Sequence, residues 1–162
     1  MRTSWRASAK KHNFSAARGR QASRVMVTGT PRHTPRALLV LLLTYGSASL
    51  FHHVHNAEFL AEYPNMPTWL SPAQVYAAWF GVTLVGAVGY LLVRRGSQLA
   101  GLLVIAGYAA LGFDGLGHYG LAPLSAHTVT MNLTIWLEVA TALLLWVAVA
   151  SFVAKQIRQR HW

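Results

Sequence analysis

The chain has no cysteine and only four acidic residues among its 162 positions. The first absence excludes disulfides, thiolate zinc sites and thiol catalysis, and it says nothing about redox compartment. The small number of acidic residues is part of a low content of charged residues. Asp, Glu, Lys and Arg make up 11% of this chain, whereas about a quarter of the residues in soluble domains are charged. A chain that is also 54% hydrophobic is typical of a membrane protein.

Four long apolar segments contain most of the hydrophobic residues. They cover residues 37–60, 73–93, 98–117 and 128–154. Each approaches or exceeds the roughly 20 residues that cross a hydrocarbon core of about 30 Å, and none shows the narrow apolar stripe of a soluble helix. The sequence therefore predicts an all-α, polytopic membrane protein built as a four-transmembrane-helix bundle.

The 14 basic residues are distributed very unevenly. Nine lie in residues 1–36, Arg94 and Arg95 form a pair between the second and third segments, and three follow residue 154. The other two loops contain no lysine or arginine. The positive-inside rule then predicts that both termini are cytoplasmic and that these two loops lie outside. The net charge of +10 indicates topology and attraction to anionic lipid, and it does not indicate nucleic-acid binding.

This distribution predicts an integral protein of the bacterial inner (plasma) membrane whose outer loops face the periplasm. Residues 1–36 are predicted to form a disordered basic tail, and residues 155–162 a basic cytoplasmic tail. Two other interpretations of the N-terminal stretch stay open: upstream sequence before a start at Met26, or an organelle transit peptide. A signal peptide ending near Gly46 to Ser49 is an alternative to a retained first helix.

Histidines crowd the end of the first apolar segment. Helical spacing places four side chains on one face: His52, His55, Asn56 and Phe59. His53 lies about 100° round the helix, so we expect it to contact loop backbone or headgroups.

Acidic and imidazole side chains also flank the turn between the third and fourth segments. Asp114 and His118 are four residues apart and share a face if the third helix persists. One stripe on the fourth segment comprises His127, Met131, Thr134, Glu138 and Thr141. Glu138 lies roughly 16 Å deeper than His127, so we expect it not to share an ion with the outer histidines. A carboxylate inside a membrane helix is costly and is a functional candidate by default.

The topology brings the outer ends of the first, third and fourth helices to one level. Imidazole nitrogen and carboxylate oxygen suit zinc, copper or iron better than calcium. The predicted metal ligands are His52, His55, Asp114, His118 and His127. Glu58 and Glu138 are the candidate catalytic carboxylates. A hydrolase at this site would use metal-activated water, with Glu58 or Asp114 as the general base.

The run Asp114-Gly-Leu-Gly-His118, followed by His127, resembles a known metal motif. It is similar to the Asp-x3-His…His motif in the membrane C subunit of particulate methane and ammonia monooxygenases. The resemblance covers residues 114–127 only, its second spacing is shorter, and the chain is smaller than that subunit. The resemblance implies copper binding and oxygen chemistry. It serves as an analogy for the type of ligand and does not make the chain a member of that family.

The sequence thus predicts a membrane protein with a His/carboxylate metal site at the outer ends of helices 1, 3 and 4. The sequence contains no Ser-His-Asp motif, glycine-rich phosphate loop or Rossmann fingerprint, which removes several other enzyme classes. Metal-dependent catalysis is therefore the enzyme activity that the sequence allows at this site. The alternatives are an accessory subunit of a larger membrane complex, or a b-type haem protein with two axial histidines. Proton or small-solute transport through Glu138 is a further option, in a homo-oligomer that packs through the Gly/Ala-rich second helix.

Overall fold

The computed structural model describes residues 34–160, and within them the chain is helical, without strands. Four of these helical stretches are long and apolar enough to cross a membrane. The predicted all-helical architecture with four such segments is therefore confirmed. Residues 1–33, which hold most of the predicted disordered tail, lie outside the described residues, as do residues 161 and 162.

Five α-helices are connected by short loops. They are α1 (Thr34–Glu58), α2 (Pro72–Arg94), α3 (Gln98–Leu111), α4 (His118–Leu121) and α5 (Val129–Arg160). Short 3-10 helices occupy Leu60–Glu62, Asp114–Gly117 and Leu124–Ala126. The first, second and fourth predicted segments correspond to α1, α2 and α5, and α5 continues through the basic stretch that follows residue 154.

The third predicted segment is the one that is interrupted. α3 ends at Leu111, and a 3-10 turn and the single turn of α4 complete the span. Glycines in this stretch weaken an α-helix. Gly112 also packs so tightly on α1 that a Cβ there would lie 2.6 Å from the Tyr45 hydroxyl. The continuous helical face expected for Asp114 and His118 therefore does not form.

The boundaries of α2 follow ordinary capping chemistry. The Ser71 side chain accepts a hydrogen bond from the Gln74 N–H, and the Gln74 side chain accepts one from the Ser71 N–H. Pro72 occupies the first turn, where its missing N–H costs nothing. At the other end, Gly96 adopts a φ of 94° in the turn to α3, a conformation that favours glycine. The helix start expected at Ser71 and Pro72 is thus confirmed.

Each long helix packs against two others. α1 contacts α2 and α5, and α3 also contacts α2 and α5. The four helices therefore form a closed ring in which neighbours in sequence run antiparallel, as in an up-down bundle. We call the end that carries the α1–α2 and α3–α5 connections the loop end.

Matching buried stripes run along α1 and α5. The buried positions of α1 recur every three or four residues: Leu38, Leu42, Tyr45, Ser49, His52 and Asn56. Those of α5 do the same: Met131, Ile135, Glu138, Ala142, Leu145 and Val149. This is the spacing of a bundle seam. On α1 the stripe is apolar up to Tyr45 and turns polar from Ser49 towards the loop end.

α2 and α3 approach each other through glycine. A Cβ on Gly101 would lie 2.7 Å from both the Gly89 carbonyl oxygen and the Val93 backbone nitrogen. The close packing expected from the glycines of the second segment is found at Gly86 and Gly89, whereas a Cβ on Gly81 would meet nothing within 4 Å. Backbone contact of this kind is a common way for membrane helices to associate.

We predict that Gly101→Ala destabilises the bundle, because the new methyl group meets backbone atoms of α2 that cannot rotate away. The expected loss is about 1–3 kcal/mol, as for other overpacked sites. Gly107→Ala on the same helix is the matched control, since a Cβ there meets nothing within 4 Å and alanine is the better helix former. Thermal unfolding in one detergent compares the two variants, and equal melting temperatures would contradict this packing.

Candidate functional site

Polar side chains are buried near the loop end, in a bundle whose interior is mostly apolar. The cluster consists of His52, His53, Asn56, Tyr63, His118, His127 and Glu138. We refer to these seven residues as the polar cluster. All except the half-buried His53 are buried, and buried polar groups of this kind must find partners inside the protein.

Glu138 makes the ionic contacts of the cluster. Its side chain is only 3% exposed, and its Oε2 lies 3.7 Å from His52 Nε2. Its Oε1 lies 3.9 Å from His53 Nδ1. Over residues 34–160 these imidazoles are its ion-pair partners, and no arginine or lysine joins them. A carboxyl group buried in this way needs either a proton or an imidazolium beside it.

Glu138 lies deeper in the bundle than His127, but it lies at nearly the same depth as His52. Glu138 is nine residues into α5, about 13 Å along its axis. His52 is itself six residues inside the end of α1, about 9 Å along that axis. The two side chains bridge the small remaining difference. Gly115 borders the same carboxyl, since a Cβ there would lie 3.4 Å from Glu138 Oε2, in van der Waals contact.

The contacts of His52 indicate where its proton sits. Its Nδ1 lies 3.5 Å from the Thr134 hydroxyl oxygen, and that hydroxyl already donates to the Met131 carbonyl. The hydroxyl therefore acts as an acceptor for His52 Nδ1–H. This leaves the lone pair of Nε2 facing the Glu138 carboxyl.

His53 belongs to the site although its position on the helix predicted otherwise. Its Nδ1 donates to the Ser49 carbonyl at 2.9 Å. His53 therefore contacts its own helix and Glu138. The predicted contact with loop backbone or headgroups is not the one that forms. No sequence signal identifies this residue, because the contact comes from Glu138 reaching across the edge of the buried stripe.

His118 and Asn56 form the next pair towards the loop end. The Asn56 side-chain amide nitrogen lies 3.3 Å from His118 Nε2, which makes that nitrogen the acceptor. The His118 ring lies 5.3 Å from the His52 ring, centroid to centroid, with the planes nearly perpendicular. The two histidines from different helices are therefore in direct contact.

Tyr63 connects His118 with His55. Its ring lies 4.9 Å from that of His118, and its hydroxyl lies 3.0 Å from His55 Nδ1. Burial raises the pKa of Tyr63 to about 12, so the hydroxyl keeps its proton at neutral pH and donates to His55. No sequence signal identifies Tyr63, because this residue follows α1 and lies in the connection to α2.

His127 presents a free nitrogen to the interior. Its Nδ1 lies 3.1 Å from the Pro123 carbonyl oxygen, which can only accept, so Nδ1 carries the proton. Its Nε2 is buried and has no hydrogen-bond partner in the described part of the chain. The ring lies 6.2 Å from that of His118. His127 therefore contributes an unused lone pair to the cluster.

Other predicted site residues lie outside the cluster. Asp114 is exposed in the 3-10 turn that interrupts the third span. Glu58 is exposed and accepts a 2.6 Å hydrogen bond from the Tyr76 hydroxyl. Phe59, expected on the face of His52, is 44% exposed. These positions give Asp114 and Glu58 the environment of surface carboxylates.

The five predicted metal ligands do not converge on one point. Among the residues that the structure describes, no group of three or more histidine and carboxylate side chains is arranged to hold a metal ion. His52, His118 and His127 follow one another by ring contacts, and His55 joins through Tyr63. Metal binding here therefore requires side-chain rotation, in particular the release of His118 Nε2 by Asn56.

Comparison of the chain with protein-family models, with curated proteins and with solved structures finds no match.

We predict that His127 is the Nδ1–H tautomer in the folded protein, because only a donor can face the Pro123 carbonyl. Nitrogen-15 NMR of histidine-labelled protein in lipid nanodiscs distinguishes protonated from unprotonated ring nitrogens. A His127→Gln variant assigns the signal. An Nε2–H tautomer at this position would contradict the orientation of the ring.

Proposed function

We propose that this chain is an integral membrane protein that takes up and passes on protons at the polar cluster. Glu138 is the buried proton acceptor, and His52 and His53 are its exchange partners. The observation that carries the proposal is the Glu138 carboxyl, which is 3% exposed and faces imidazole nitrogens at 3.7 and 3.9 Å.

A carboxyl beside an imidazole in apolar surroundings has two states that differ only in the position of one proton. In the first state the proton is on the carboxyl, and both groups are neutral. In the second state it is on the imidazole, and the two groups form an ion pair. A lone charge lacks the solvation that water gives, and histidine is the side chain that changes protonation near neutral pH. The pair therefore titrates as a unit, and paired ionisable groups inside a membrane commonly belong to proton relays.

Ring contacts support a path from this pair towards the loop end. The path runs from His52 to His118 and then through Tyr63 to His55, at ring distances of 5.3, 4.9 and 5.8 Å. Each of these side chains has both a donor and an acceptor site. A proton can therefore move by exchange of hydrogen bonds, with water bridging gaps that exceed hydrogen-bond length.

The proposal includes an orientation. Arg94 and Arg95 and the basic end of α5 lie at the end of the bundle opposite the loop end, which supports cytoplasmic termini by the positive-inside rule. The polar cluster then exchanges protons with the outer compartment, the periplasm if the membrane is a bacterial inner membrane.

We predict that Glu138 holds a proton over part of the accessible pH range and exchanges it with water. Infrared spectroscopy of the protein in nanodiscs should show the carbonyl stretch of a protonated carboxylic acid. This band should disappear in Glu138→Gln and shift on transfer to D2O. Glu62→Gln is the matched control, because Glu62 is exposed in the first loop and its replacement should leave the band unchanged.

A band that is absent at every pH would overturn the proposal, because the carboxyl would then be permanently ionised. A band that never exchanges with D2O would also contradict it, since Glu138 would be a sealed structural group. His52→Phe is expected to slow the exchange, because the replacement keeps an aromatic ring and removes both nitrogens.

A transition-metal site is the second candidate function, and His127 is the observation that favours it. A histidine that binds a metal usually donates its other ring N–H to a backbone carbonyl or a carboxylate, as His127 donates to Pro123. Its free Nε2 is the ligand atom. With His52, His118 and Glu138 it would give a nitrogen and oxygen donor set suited to zinc, copper or iron.

Elemental analysis of the detergent-purified protein tests this second candidate. A metal protein should contain about one equivalent of metal, which a His118→Ala/His127→Ala variant should lose while it still unfolds cooperatively. A protein that stays empty after challenge with zinc, copper and iron would exclude it. The same sample tests two interpretations of the sequence, because a b-type haem would absorb visible light and an accessory subunit would copurify with partners.

A further inference from the structure

A cavity of about 360 Å³ lies between α1, α2 and α3, away from the polar cluster. This volume is within the range of roughly 300–1,000 Å³ that is usual for small-molecule sites. Small residues on two of the helices make the space: Gly46 and Ser47 on α1, and Gly86 and Ala87 on α2. Larger side chains at these positions would fill it.

The cavity opens to the outside of the bundle. Leu43 and Leu50 line it and are 61% and 37% exposed. In a membrane such a side opening faces hydrocarbon, so that an occupant enters from the lipid phase. Its lining contains no charged side chain, and an ionised ligand would therefore be excluded by the cost of desolvation.

One polar atom at the cavity lacks a partner. Trp79 Nε1 is buried and makes no hydrogen bond within residues 34–160, whereas the Thr83 hydroxyl lies near the Tyr108 hydroxyl. The Tyr108 hydroxyl borders the same cavity, 3.5 Å from where a Cβ on Gly46 would lie. An unpaired N–H group in hydrocarbon is costly, so the Trp79 N–H indicates a hydrogen-bonding partner from outside the chain.

The chemistry of Trp79 defines that partner. Indole N–H is a donor only, so the ligand must supply an acceptor oxygen. Trp79 lies seven residues into α2, about 10 Å along the helix axis, and Thr83 lies one turn deeper. The acceptor must therefore belong to a group that itself enters the hydrocarbon layer, unlike a charged or zwitterionic headgroup.

We propose that this cavity binds one neutral, lipid-soluble carbonyl compound of the quinone class, with a ring carbonyl accepting a hydrogen bond from Trp79 Nε1–H. The Thr83 hydroxyl is the second hydrogen-bonding group, and the apolar walls on α1 hold the ring and the start of its tail. The site is separate from the polar cluster and does not depend on the proton-handling proposal.

The test is calorimetric titration of the protein in nanodiscs with decylubiquinone, after subtraction of protein-free nanodiscs. We expect one molecule per chain and about fivefold to tenfold weaker binding in Trp79→Phe, which loses one hydrogen bond but keeps an aromatic ring. Trp69→Phe is the matched control, because Trp69 is 72% exposed in the first loop. Thr83→Val is a second variant that keeps the volume of the side chain.

Three results would overturn the proposal. The first is no saturable binding of decylubiquinone to a folded protein. The second is equal affinity in the parent and in both Trp79→Phe and Thr83→Val, which would mean that no hydrogen bond forms. The third is competition by decane as effective as by the quinone, which would make the cavity a site for lipid chains only.

Discussion

The antiparallel packing of α1 against α5 is the constraint on which the rest of the structure depends. The buried stripes of the two helices have the same spacing. Where these stripes change from apolar to polar residues, His52 of α1 meets Glu138 of α5. A shift of either helix by one turn, about 5.4 Å, would place the carboxyl beside Ser49 or Asn56 in place of His52. The apolar half of the seam, with Tyr45 and Leu145 in the core, therefore sets the register that the polar half requires.

The polar cluster is stable only as a set. Asn56 bonds to His118, Tyr63 to His55, and His53 to its own helix backbone. In surroundings of low dielectric, each of these bonds is strong and each missing partner is costly. The contacts that satisfy these buried groups are also the ones on which the proposed proton handling depends, so that stability and the proposed chemistry use the same side chains.

Much of the fold could be predicted from the sequence, because hydrophobic length is a strong signal. The four apolar segments, the start of α2 at Ser71 and Pro72 and the close packing at Gly86 and Gly89 are read from local patterns. The interruption after Leu111 was the exception. The glycines there indicated a weak helix, but the break depends on the contact of Gly112 with Tyr45, which is distant in sequence.

Less of the site could be predicted, because helical spacing orders side chains on one helix but does not give the relative height of two helices. Three of the predicted metal ligands, His52, His118 and His127, are buried, and their role as ligands stays a prediction. The sequence placed Glu138 too deep to share an ion with the outer histidines, whereas its carboxyl lies 3.7 Å from His52 Nε2. The depth of His52 depends on where α1 ends, which helical spacing does not give. The prediction also omitted Tyr63, a loop residue whose burial results from the path of the chain after α1.

The turn between α2 and α3 has a consequence for how the chain is made. Only residues 95–97 separate the two helices, and a left-handed glycine closes the turn. Because Gly89 and Gly101 bring the backbones together just beyond it, this pair can associate before α5 has been synthesised. The α2–α3 hairpin would then be a folding unit of its own, whose assembly does not wait for the seam between α1 and α5.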